Sequence, residues 1–234
     1  MTAPADADAP ASLRQHLEHL KRLRGAEARA GNPPRLIEVK TWQAARLART
    51  YTDLASDPRY GRATEFFLGD LYGVKDFSSR DDALLRIYPV LVRTLPDSAV
   101  EAAALAIEVD ALSEDLDRRL AACLRTGPLD EAAYAKAYRE SSTREERLRQ
   151  IELIDAVGRQ LDRLVVKPLV YATLKLMRRP ARLAGMQDLQ SFLERGFEAF
   201  RHMGGAEHFL QTIGERETAI LNRLFSGHPS PFSG

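Results

Sequence analysis

The sequence predicts an all-α fold, a single compact bundle of eight to ten helices. Three observations carry that prediction. Apolar residues recur at three- and four-residue spacing in most segments, no alternating strand-like run exceeds four residues, and helix start and stop signals follow one another closely. Connections are short, which favours antiparallel neighbours around one core. The expected organisation is a disordered tail over 1–11, one helical domain over 12–226 and a flexible tail over 227–234.

Taken in order, Ser12 is positioned to cap a helix whose stripe is Leu13, Leu17, Leu20 and Leu23. Gly31-Asn32-Pro33-Pro34 breaks the chain. A second helix is expected over 35–55, with Val39, Trp42, Leu47, Tyr51 and Leu54 inward. After the turn at 57–61 comes an aromatic helical stretch. A further helix from Arg80 should kink at Pro89, where the ring removes a backbone donor and meets the carbonyl four residues earlier. Ser98 and Glu101 have the spacing of a capping box for a long helix to about Arg125. Asp130 caps a short helix, and Thr143 with Glu146 opens a long one that Pro168 bends or splits. Its inward positions are read as Leu148, Ile151, Ile154, Val157, Leu161, Leu164 and Val165, with Leu169 to Met177 continuing the apolar face. Arg178 to Arg182 reads as a basic connector. Helices over 187–203, ended by Gly204-Gly205, and 206–225 complete the bundle.

Composition narrows the function classes. The 34 basic and 33 acidic side chains leave a net charge of +1, which gives no electrostatic reason to expect nucleic acid as the partner. The single cysteine, Cys123, excludes an internal disulfide framework and fits a reducing cytoplasm. The opening MTAPADADAP lacks a basic segment followed by an apolar one, so no secretory signal is expected. The longest apolar run, Leu164 to Met177, is interrupted by Lys167, Pro168 and Lys175, so no membrane span is expected.

The stretch Thr64 to Asp82, TEFFLGDLYGVKDFSSRDD, joins a helical turn, a glycine stop at Gly73, an aromatic loop and a new helix start. Phe66, Phe67, Leu68, Leu71 and Tyr72 form an apolar cluster. Ser79 and Asp82 offer a cap, and Phe77 can staple to Leu84. The pattern FFL-x-x-LYG-x-x-DFS-x-RD resembles the signature of a bacterial all-helical family of unknown function. The resemblance continues through Leu95, Glu108 to Asp117 and Phe192 to Gly205. It implies a helical fold and no assigned activity. Asp70, Tyr72, Asp76, Arg80 and Asp81 are the candidate residues of a pocket or partner surface here, while caps and turns use the same residue types.

No phosphate-cradling loop, nucleophile elbow, HExxH or CxxC is present. The sharpest catalytic alternative is a carboxylate-bridged metal pair inside the bundle, with Glu65, Glu108, Glu198 and His202 as ligands. Glu101, Glu108 and Asp115 recur every seven residues, and Glu198 and His202 share a helix face, but no Glu-x-x-His occurs. Wet edges of amphipathic helices account for the same acids. Surplus apolar surface, greatest over 164–177, points instead to a homodimer or a protein partner. The leading reading is therefore a cytoplasmic, non-catalytic helical binding or scaffolding protein that needs no cofactor. The alternatives are a metal- or cofactor-dependent enzyme and a carrier of a small apolar ligand.

Overall fold

The computed structural model describes residues 9–30, 34–71, 85, 88–89, 92–93, 96–124 and 127–233, and every regular element among them is helical. In chain order these are α1 (Ala9–Ala30), α2 (Pro34–Thr50), α3 (Thr52–Ser56), α4 (Gly61–Phe66) and a single π-turn (Phe67–Leu71). After them come α5 (Asp97–Cys123), α6 (Glu131–Ser141), α7 (Arg144–Val165), α8 (Pro168–Leu176), α9 (Arg178–Leu183), α10 (Gln187–Met203) and α11 (Glu207–Phe225).

Two helices organise the rest. The Leu13, Leu17 and Leu20 stripe of α1 lies on Val100, Ala104, Ile107 and Ala111 of α5, where two alanines let the helix axes approach closely. The remaining surface of α5 receives α2, α6 and α7. In turn α7 bears on α10 and α11. A second core joins Leu47 and Tyr51 to Tyr60, Phe66, Val165, Phe197, Phe200, Met203, Phe209 and Ile213. From the aromatic stretch, Phe66 is buried against Phe192, with ring centroids 5.3 Å apart, and half-buried Phe67 meets Phe209 edge-on at 6.3 Å. The expected stop at Gly73, the Phe77 staple and the Ser79 cap lie outside the described residues. So do residues 86–87 and 90–91 around Pro89, where a kink was expected.

Several boundaries follow local chemistry. Asp130 accepts from Ala133 N at 2.8 Å, and Thr143 with Glu146 forms the reciprocal capping box at the start of α7. Pro168 splits the long helix as expected, and its missing N–H falls at the start of α8, where no intrahelical donor is required. Gly204, at φ 65°, ends α10 in the left-handed conformation. Arg59 caps the same end: its Nε donates to the Met203 carbonyl at 2.7 Å and an η nitrogen donates to Gly205 at 3.1 Å.

Other expectations are corrected. α5 begins at Asp97 after Pro96, whose carbonyl accepts from Ala99 N at 2.8 Å, and Ser98 with Glu101 does not cap it. The described part of α1 starts at Ala9, so Ser12 lies inside the helix. The helix expected over 35–55 breaks at Tyr51, beside Thr50 and Thr52, whose hydroxyls donate to carbonyls of the preceding turn. On α7 the buried positions are Arg147, Leu153, Gly158, Leu164 and Val165, whereas Leu148, Ile151, Ile154, Val157 and Leu161 are only half-buried. α7 is wedged between α5 and α11, so it has no single inward stripe. The C-terminal segment folds back: Arg223 Nε donates to the Pro231 carbonyl at 2.7 Å, and Phe232 lies edge-on to Trp42 at 5.3 Å.

Candidate docking surface

The residues singled out in the sequence do not converge among the described ones. Asp70 belongs to the π-turn by its backbone; its side chain, together with Tyr72, Asp76, Arg80 and Asp81, lies outside the described residues. Glu65 is exposed on α4. Glu108 pairs with Arg149 at 2.9 Å. Glu198 accepts from the Tyr171 hydroxyl at 3.4 Å, while His202 Nε2 lies 3.0 Å from the Pro58 carbonyl. Glu198 and His202 thus share a face of α10 yet turn to different neighbours. Among the described residues, no group of three or more His, Cys, Asp or Glu side chains is placed to hold a metal ion.

Charge collects in the interior at positions the periodicity did not mark. Glu114 of α5 is almost fully buried and meets Lys40 of α2 at 2.9 Å, Arg118 at 3.3 Å and Arg24 of α1 at 3.7 Å. Burial alone would raise its carboxyl, but these cations override burial and hold it below the usual carboxylate range. One turn on, Gln43 Nε2 donates to Asp117 at 2.9 Å and to the Tyr134 hydroxyl at 3.1 Å. With an amide rather than a cation as its nearest partner, Asp117 is pushed by burial up to about 6. Buried Arg147 stacks over Tyr138 at 4.1 Å and donates to Ser142 at 3.0 Å. Arg46 pairs with Glu217, which also accepts from Tyr51 at 2.8 Å. These contacts tie α1, α2, α5, α6, α7 and α11 in one register.

The opposite situation holds at α8 and α9. α8 reads PLVYATLKL, with one charge in nine residues, and none of the nine is buried. Its inner side is Val170, Tyr171 and Leu174, half-buried on the α10 core. Tyr171 stacks on Phe197 with centroids 5.2 Å apart, and Gln190 Nε2 donates to the Leu174 carbonyl at 2.6 Å. Leu169 and Leu176, seven residues apart and so on one helix face, point the other way, at 74% and 77% exposure. Leu183 of α9 is 81% exposed, and Val166, Met177 and Leu193 are exposed as well. The continuation of the apolar core expected over 169–177 is therefore corrected: half of that surface faces water. Arg178 clamps α9 to α10 through a two-pronged pair with Glu194, with Nε 2.7 Å from Oε1.

A cleft of about 360 Å³ adjoins this patch, floored by Val165 and Phe200 and walled by Tyr171 and Arg201. Arg201 sits over the Tyr171 ring at 4.7 Å, and Asp162 accepts from Ala206 N at 3.1 Å, at the start of α11. Exposed Val166, Pro168 and Gly204 form the rim, so the space is a surface cleft rather than an enclosed cavity.

Comparison with known proteins agrees with the sequence on one point. A family model described as Domain of unknown function (DUF8198) matches residues 22–231. The chain belongs to that family. The DUF8198 match takes in the end of α1 and every later described helix, and so includes the whole α8–α9 face. No curated protein and no solved structure matches the chain. DUF8198 membership accordingly brings no activity with it. No described helix is long and apolar enough to cross a membrane.

The basic connector Arg178 to Arg182 belongs to a longer bias in the sequence. From Arg163 to Gln187 there are six basic residues and no acidic one, a bias that the chain's near-neutral total hides.

Proposed function

We propose that this chain is a cytoplasmic, non-catalytic helical binding protein whose docking surface is the outer face of α8 and α9. The observation that carries the reading is that α8 has one charge in nine residues and no buried side chain. An apolar helix face left exposed in this way is a common mark of a partner surface. The polar interior supports the same reading, since its carboxylates are paired with cations or amides and serve to align helices. The lone Cys123, half-buried beside Leu120 and Tyr134, fits a reducing compartment.

An environment-sensitive dye, 8-anilinonaphthalene-1-sulfonate, tests the surface. The native protein binds it saturably, and the Leu169→Gln/Leu176→Gln/Leu183→Gln variant loses that binding with an unchanged melting temperature. Equal dye binding by the variant, or none by the native protein, overturns the reading.

A further inference from the structure

We infer that the partner of the α8–α9 face is an anionic lipid surface, on which the two helices lie flat. This rests on the docking reading above and goes beyond it by naming the occupant. Three observations select it. The first is charge. The segment 163–187 holds Arg163, Lys167, Lys175, Arg178, Arg179 and Arg182 with no acid, while the other 209 residues hold 28 basic and 33 acidic side chains. Arg178 is paired with Glu194 and Lys175 lies over Tyr171, so the positive charge left beside exposed Leu183 is that of Arg179 and Arg182. Arg179 and Arg182 are exposed and make no ion pair or side-chain hydrogen bond to a described residue, so both are available. A second copy applied to the same face across a two-fold axis would set this cluster against itself, which disfavours a homodimer here.

The second is shape. Leu169, Leu176 and Leu183 are about three-quarters exposed or more, so they stand out from the surface rather than line a groove. A partner helix needs a groove to seat in, whereas the boundary between headgroups and acyl chains accepts protruding aliphatic side chains without a matching contour. A nucleic acid would meet the cations but leave the leucines in water.

The third is support. Tyr171 is stacked on Phe197, Lys175 Nζ lies over the Tyr171 ring 4.3 Å from its centroid, and Arg178 is clamped to Glu194. The inner side of both helices is thereby held to α10, and the outer side is presented without local unfolding. Lys and Arg beside exposed leucines on such a helix form the pattern of surface-bound, non-spanning segments.

Flotation of the full chain with phosphatidylcholine vesicles containing about one-third phosphatidylserine tests this. The expected result is binding to the mixed vesicles, little to pure phosphatidylcholine, and loss at about 0.5 M salt. Arg179→Gln/Arg182→Gln should weaken binding by about tenfold or more, and Leu169→Gln/Leu176→Gln/Leu183→Gln should abolish it. These side chains are exposed, so unchanged circular dichroism and melting temperature certify the variants. No flotation with anionic vesicles, or full flotation of the leucine variant, overturns the inference. Should dye binding still depend on the three leucines while vesicles fail, the lipid is wrong, the docking face stands, and an acidic protein takes its place. Loss of both results removes the docking face as well.

Discussion

Asp117 shows how a single side chain in this bundle sets a pH dependence. Its carboxyl titrates near 6 in the folded chain, above the ordinary carboxylate range, because burial disfavours the charged form. The folded state therefore binds the proton more readily than the unfolded chain between about pH 4 and 6, and this group's contribution to stability falls as pH rises through that window. Glu114, Glu146 and Glu194 are held low and act with the opposite sign, losing their contribution only as pH falls below the usual glutamate range. Acidifying from pH 7 to pH 5 should accordingly raise stability by about 1 kcal/mol, and Asp117→Asn should remove that gain while stabilising the protein at pH 7. Urea denaturation at the two pH values reads both effects. Asp117 lies inside a stretch that carries the family resemblance, yet nothing in the sequence marks it as half-buried between helices. Its partners Gln43 and Tyr134 are 74 and 91 residues away from Asp117 and Gln43 respectively, a proximity that only helix packing creates.

Between elements, close approach decides the fit. Gly196 of α10 faces the Phe66 ring of α4, and a Cβ placed there would stand 2.7 Å from the ring's tip. Alanine is the better helix former by roughly 1 kcal/mol, so an isolated helix would gain from the change. In this crossing the ring is packed against Phe192 and cannot withdraw freely, and overpacking outweighs propensity. Gly196→Ala should therefore destabilise by about 1–3 kcal/mol, read as a lower urea midpoint. Elements with strong local signals were legible: the α7 capping box, the split at Pro168 and the stop at Gly204. α7 was misregistered because it is contacted on several sides, which spreads its half-buried residues around the helix. The return of Phe232 onto Trp42 was hidden by its Pro/Gly/Ser surroundings, since composition reports chain preference and not a distant aromatic partner.

Across the whole molecule, the helical class followed from periodicity and turn chemistry, and the described residues agree with it. The docking face was half legible. The surplus of apolar residues over 164–177 was visible, but which of them face outward depends on α8 resting on α10 through Val170, Tyr171 and Leu174. The candidate residues around Asp76 fall outside the described structure, whereas Glu108, Glu198 and His202 are held by separate neighbours. What remains is a bundle aligned by buried ion pairs and amides, carrying on one side an apolar and basic ridge. The most direct check of that ridge is the thiol modification rate of Leu176→Cys in a Cys123→Ala background. The outward orientation of α8 predicts modification of the isolated, folded protein at close to the rate of an unstructured peptide. Protection by about a hundredfold or more would mean that the leucine face is already covered, by the chain itself or by a second copy, and would contradict the docking surface.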